Sequence, residues 1–210
     1  MLRVAYPRDL VMIGAIFGLA AFVWAGWAQE APPEPWAWRI VLVGLMVAGL
    51  ALAAGSALTA VRNWRTPTAI DPRSRRFRVY IVVVVLEVII AGLVGFLAIG
   101  AGRSDLIAPL ILAVVGIHFV ALAIVFMQPV LHLAGALLVV VAVVAALIPG
   151  SIAAASFWCG IAGGPIFLAI GIWCTAAGIA ALRKRSYGTH RAPPASACDR
   201  GIGPHGMHAR

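Results

Sequence analysis

Long uninterrupted runs of apolar residues dominate this chain, and the polar residues are concentrated in the short segments between them. The runs are continuous rather than alternating apolar with polar, so they do not fit the strands of a membrane β-barrel and predict helices. A helix needs about 20 apolar residues to cross the hydrocarbon core of a bilayer. Six runs are long enough, and we predict transmembrane helices at 10–28, 38–61, 79–100, 106–127, 130–148 and 157–182.

Composition supports the same fold class. Hydrophobic residues make up 63% of the chain and charged residues 11%, which is far from the mixture found in soluble domains. The predicted helices use most of the 210 residues, so no room remains for a separate soluble domain. We predict an all-α, polytopic bundle of six transmembrane helices over 1–182. The basic segment 183–210 lacks apolar periodicity and is predicted to be a disordered cytoplasmic tail.

The basic residues lie almost entirely on one side of the predicted membrane. Of the 16 Lys and Arg residues, only Arg39 and Arg103 fall in the opposite loops. The positive-inside rule then predicts a multi-pass protein of the cell (inner or plasma) membrane with both termini in the cytoplasm. The net charge of +9 therefore indicates topology and contact with anionic lipid rather than nucleic-acid binding. The densest cluster is a predicted lipid-facing basic patch of Arg73, Arg75, Arg76 and Arg78.

The first apolar run has a second interpretation. Arg3 and Arg8 precede it, and the segment 26–28 resembles a signal-peptide cleavage site. The run is longer than the apolar region of a signal peptide and ends in tryptophans typical of a membrane interface. We therefore interpret it as a retained helix.

Two ionisable residues, Glu87 and His118, interrupt the interior of the third and fourth runs. The short turn 101–105 makes these runs an antiparallel pair, and the two residues lie at nearly equal distances from its centre. Both are therefore predicted at the same depth, roughly 12 to 14 Å from the cytoplasmic helix ends. Ionisable groups are costly inside a membrane and are functional candidates by default. We predict a protonatable intramembrane pair.

Small residues at helical spacing predict close helix contacts. Glu87 shares a face of the third helix with small residues, so this face should point at another helix. The second helix has a comparable face, and the first helix has two glycines. The small-residue faces of the first, second and sixth helices could pack within the bundle or form a homo-oligomer. The small residues of the third helix are Ala91, Gly95 and Ala98. Those of the second are Gly44, Ala48, Ala51 and Gly55, and those of the first are Gly14 and Gly18.

The sixth run contains a cluster of residues that disfavour a regular helix, which are Gly160, Gly163, Gly164 and Pro165. Proline removes a backbone donor and clashes with the preceding turn, so a kink near Ile161 is expected. A broken helix exposing carbonyl groups to a substrate or ion is one interpretation. A tolerated kink with a glycine contact face is the simpler one.

Signatures of enzymes and cofactor sites are absent from the sequence. We find no phosphate loop, no Gly-x-Ser-x-Gly and no His-Glu-x-x-His motif. His118 and His132 differ in predicted depth and do not suit a haem. The tail residues His190, Cys198, His205 and His208 match no closed zinc pattern. We predict no enzymatic activity, no metal and no cofactor.

The fourth run carries a motif that resembles a known family. Its Gly116-Ile117-His118-Phe119, followed by Ala121-Leu122-Ala123 and Phe126, is similar to a Gly-x-His-Phe motif in a group of uncharacterised small bacterial integral membrane proteins. The resemblance covers the third to fifth helices. It implies a six-helix bundle and no known activity.

Two functions of different classes fit these features. In a small proton-linked transporter or channel, Glu87 would exchange protons and His118 would modulate this exchange. In a structural or assembly subunit, the pair would fix the register of two helices, and the basic face would dock lipid or a partner. A path that reaches Glu87 favours transport, whereas a dry, fully packed pair favours the structural role.

Overall fold

The computed structural model describes residues 6–34, 36–68 and 73–189, with side chains up to residue 185, and all regular structure in these ranges is helical. Short 3₁₀ turns occupy Ala28–Glu30 and Ser104–Leu106. The predicted all-α bundle of six helices is confirmed, since each helix is long and apolar enough to cross a membrane. The helices are α1 (Pro7–Trp27), α2 (Ala37–Arg62), α3 (Arg75–Gly100), α4 (Ile107–Phe126), α5 (Val130–Leu147) and α6 (Ala155–Thr189).

Helices α1 and α3 begin three or more residues before the predicted runs do, and both starts have a local cause. Helix α1 begins at Pro7, where the missing proline N–H costs nothing because it would be unpaired in the first turn. Helix α3 begins at Arg75, after Ser74 caps it by accepting a hydrogen bond of 3.1 Å from the Phe77 backbone N–H. As a result, Arg8 lies inside the first turn of α1.

Helix α1 forms the two largest helix interfaces of the described bundle. It packs most extensively against α6 and α2, whereas α4 packs against α5, and α5 packs against α6. Among the described helices, α3 has a substantial interface only with α4. The end at which α1 begins also holds the described residues 63–68 and 73–74, between α2 and α3, and the last turns of α6. We call it the basic end because it carries Arg8, Arg62, Arg65 and the arginines that begin α3.

Small residues set the distance between α1 and its two neighbours. A Cβ atom placed on Gly18 would lie 2.7 Å from the Gly49 carbonyl oxygen of α2, and one on Gly14 would lie 2.9 Å from the Gly171 carbonyl oxygen of α6. Side chains cannot fit at such separations, so these contacts require glycine. The predicted role of Gly14 and Gly18 as contact residues agrees with this packing.

The small-residue face predicted on α2 does not pack within the bundle. Gly44, Ala48, Ala51 and Gly55 are exposed, and nothing lies within 4 Å of a Cβ atom placed on Gly44 or Gly55. A different face of α2 packs into the bundle, formed by Leu42, Gly49, Ser56 and Ala60. Ser56 orients this face of α2 toward α6, because its hydroxyl forms a 2.8 Å hydrogen bond with the Thr175 hydroxyl of α6.

Helix α6 continues through its glycine and proline cluster without interruption. Pro165 is on the exposed face of the helix, whereas Gly163 and Gly164 are buried. A Cβ atom on Gly160 would lie 2.5 Å from the Trp24 carbonyl oxygen of α1. The region is therefore a helix contact face, and the broken helix with exposed carbonyl groups is not present in this described segment.

Helix α6 also extends past the predicted start of the tail, to Thr189. The predicted disorder of the remaining tail, and its histidines and Cys198, lie outside the described residues.

Candidate functional site

Glu87 of α3 and His118 of α4 meet at the interface between these two helices. Nδ1 of His118 lies 3.2 Å from Oε2 of Glu87, and the side chains are 8% and 22% exposed, respectively. The connection 101–106 allows this alignment, because Gly102 adopts a left-handed φ of 68° and reverses the chain tightly. The hairpin thus brings together the two residues that the sequence predicts as a pair.

The contact between the two side chains has the distance of an ion pair but not the angles of a hydrogen bond. Nδ1 of His118 has no hydrogen-bond partner among the described residues. Leaving a buried donor or acceptor unpaired costs about 1–3 kcal/mol, so the pair is close but not optimally bonded.

The Glu87 face of α3 is its least exposed one, as predicted from its small residues. Ala98 is buried and Ala91 and Gly95 are half-buried, whereas most other positions of α3 are exposed. A Cβ atom on Gly95 would nevertheless have no neighbour within 4 Å, so α3 does not approach α4 closely there. The hairpin is therefore loosely packed around the ionisable pair.

Cavities lie on both sides of the Glu87–His118 pair. The smaller, about 230 Å³, lies between α3 and α4, and Val83, Ile90 and Ala121 are among its walls. The larger, about 470 Å³, is bounded by α1, α3 and α4. Both side chains of the pair line both cavities. The carboxyl group is therefore not enclosed by close packing.

The larger cavity is rich in aromatic side chains, and we call it the aromatic cleft. It lies between α1 and α3, which have no substantial contact with each other. Two of its rings, those of Phe17 and Phe119, are in contact with centroids 4.7 Å apart. The aromatic residues in its walls are Phe17, Trp24, Tyr80, Phe119 and Phe126.

A third cavity, about 490 Å³, extends from the aromatic cleft toward the basic end. Arg8, Asp9 and Trp64 are in its walls, and we call it the Arg8 cavity. The two cavities share wall residues on α1, α3 and α4, so they adjoin. Together they occupy the space between the basic end and Glu87. The shared residues are Ile13, Ile16, Tyr80 and Phe126.

Arg8 and Asp9 are buried ionisable residues that the sequence analysis missed. They are 7% and 5% exposed. Nη1 of Arg8 donates a 2.7 Å hydrogen bond to the Trp64 carbonyl, the guanidinium lies 4.7 Å from the Trp64 ring centroid, and Nε lies 3.9 Å from Oδ1 of Asp9. The available signal was Pro7 followed by an acidic residue, which is typical of a first helical turn.

The other predicted site residues lie apart from the Glu87–His118 pair. The basic patch of Arg73, Arg75, Arg76 and Arg78 is exposed at the start of α3. A surface groove there is bounded by Arg75, Arg78, Val79 and Val82. The glycine and proline cluster of α6 packs against Trp24 of α1, Leu45 of α2 and Leu112 of α4.

The Gly-x-His-Phe segment of α4 places three residues on three different neighbours. Gly116 packs against the Gly135 backbone of α5, His118 meets Glu87 of α3, and Phe119 contacts the rings of α1 and α6. The motif therefore holds α4 among its neighbours.

Comparison of the chain with protein-family models, curated proteins and solved structures finds no match. Within the described residues, no group of three or more His, Cys, Asp or Glu side chains is placed to hold a metal ion. The fold itself defines a small multi-pass helical membrane protein.

Proposed function

We propose that this protein is a small proton-linked transporter in which Glu87 carries the exchanged proton. The observation that supports this most is the position of the Glu87–His118 pair in the wall of the aromatic cleft, which adjoins the Arg8 cavity. A carboxyl group inside a membrane is costly and is retained where it has a task. A cavity that reaches it gives protons and cargo access.

His118 adjusts the charge of the site. With one proton between them, the pair is neutral overall, as an ion pair or as two neutral groups. Loss of that proton leaves a net negative site, which is unfavourable in a low-dielectric interior unless a cation replaces the proton. Helix α3 is suited to move in this exchange because it packs substantially only against α4. A channel would use the same route without coupling proton and cargo.

The location and orientation of the protein belong to the same proposal. We place it in the cell membrane with both termini in the cytoplasm, because the arginine-rich basic end fits the positive-inside rule. The exposed patch at Arg73, Arg75, Arg76 and Arg78 then contacts anionic lipid headgroups. The exposed small residues of α2 leave room for a homo-oligomer.

The 3.2 Å contact also favours a second function, that of a structural or assembly subunit. In this case the pair fixes the register of α3 on α4, which is the only substantial interface that α3 has among the described helices. Buried polar pairs serve specificity of this kind in some proteins. The structural role predicts that Glu87 is inaccessible and never exchanges its proton.

Labelling with dicyclohexylcarbodiimide separates the two functions, because this apolar reagent attacks protonated carboxyl groups within membranes. We expect a mass increase on the peptide that contains Glu87, with a rate that falls as the pH rises. Glu87→Gln should abolish this labelling. The matched control Glu30→Gln changes an exposed carboxylate at the opposite end and should leave it intact. An unreactive Glu87 in folded wild-type protein would contradict the transport proposal.

A further inference from the structure

We infer that the aromatic cleft binds lipophilic organic cations, with the Glu87 carboxylate meeting their positive charge. The inference rests on the proposed function, because it names the class of cargo for the same site. The cleft volume of about 470 Å³ is within the range of about 300–1,000 Å³ typical of small-molecule sites. It therefore suits a ligand of drug-like size.

The walls of the aromatic cleft select for charge as well as size. Glu87 is the only acidic residue in its walls, and no Lys or Arg is among the described wall residues. Rings of Phe, Tyr and Trp attract cations through their negative faces, and the attraction strengthens where water is excluded. An anion would face the carboxylate, and an uncharged ligand would leave that charge unmatched.

The remaining titratable groups near Glu87 are few. His118 faces it from α4, and Tyr80 lies two turns away on α3 in the same cleft. Helix α1 contributes Arg8 and Asp9 only to the adjoining Arg8 cavity, where they lie 3.9 Å apart and offset each other's charge. Helix α5 contributes an apolar residue to the cleft. The carboxylate is thus the group that a bound cation meets.

Cation binding and proton release are linked at this site. A protonated Glu87 that receives an organic cation gives up its proton to water, and the carboxylate and the cation then form the neutral pair. No covalent bond to the cargo forms or breaks. Lipophilic cations can also enter sideways from the bilayer, because the cleft lies between two helices that have no substantial contact.

Tetraphenylphosphonium and tetraphenylborate provide the sharpest probes, since they have nearly the same shape and opposite charge. Equilibrium dialysis of the purified protein in detergent at pH 8 should show saturable binding of the cation and none of the anion. Glu87→Gln should weaken cation binding at least tenfold, Glu87→Asp should restore part of it, and Glu30→Gln should leave it unchanged. Equal binding of both probes, or full affinity in Glu87→Gln, would overturn the inference.

A second variant keeps the test decisive if Glu87→Gln does not fold. Ala20 lines the aromatic cleft and is half-buried, so Ala20→Phe fills space without touching the carboxylate. It should also weaken cation binding, and unchanged affinity would contradict the assigned site. Proton release, followed with a dye during binding, separates the two proposals. Cation binding without proton release would support the cation site and refute proton linkage. Carbodiimide labelling of Glu87 without cation binding would refute the cation site and leave the proposed proton exchange at Glu87 unaffected.

Discussion

The Glu87–His118 contact should contribute little to stability if the site is functional. The two atoms are 3.2 Å apart, but their angles do not make a hydrogen bond, and the Glu87 side chain is 22% exposed. Hydrogen bonds between membrane helices average about 0.6 kcal/mol and reach about 1.7 kcal/mol at most. We therefore expect a coupling energy below about 1.5 kcal/mol for this pair.

A double-mutant cycle measures this coupling directly. Wild type, Glu87→Gln, His118→Ala and the double mutant are unfolded reversibly by titration with denaturing detergent, and their free energies of unfolding are compared. Glu87→Gln alone should cost less than about 1 kcal/mol, because the amide keeps the shape and can still hydrogen-bond.

A pair that serves only to hold α3 against α4 gives a different result. Removing one partner of a well-paired buried ion pair costs about 3–5 kcal/mol, because the other charge is left unpaired. A loss of this size in both single mutants, with no further loss in the double mutant, would refute our interpretation of the pair.

Two further predictions test the fold. Gly18→Ala should destabilise the protein by about 1–3 kcal/mol, because the new Cβ would overlap the α2 backbone, whereas Gly44→Ala should be neutral or slightly stabilising in the same unfolding assay. Arg8→Gln should cost about 1.5–3 kcal/mol, since it removes a charged hydrogen bond to the Trp64 carbonyl. The exposed control Arg103→Gln should cost less than about 1 kcal/mol, and equal losses in the two variants would contradict the buried role of Arg8.

The sequence predicted the six helices and the alignment of Glu87 with His118 for clear physical reasons. Helices that cross a membrane need a fixed length of apolar residues, and this requirement is directly visible in the chain. A short turn also fixes which residues of a hairpin face each other. Two isolated ionisable residues at equal distances from such a turn leave few alternatives.

The remaining features depend on contacts between distant parts of the chain. Helix α2 is apolar and rich in small residues all round, so its packed face could not be predicted until Ser56 was seen to meet Thr175. The burial of Arg8 depends on Trp64 in a later loop. The aromatic cleft exists because α1 and α3 do not pack together, and no local pattern specifies a missing interface.

The most direct test of the account is whether Glu87 changes its protonation state in the membrane. Infrared difference spectra of the protein in lipid bilayers, recorded as the pH is changed, detect the carbonyl stretch of a protonated carboxylic acid. We predict a band that appears on acidification in wild type and in Glu30→Gln and is missing in Glu87→Gln. Identical difference spectra for wild type and Glu87→Gln would mean that Glu87 does not exchange protons, and would contradict the proposed function.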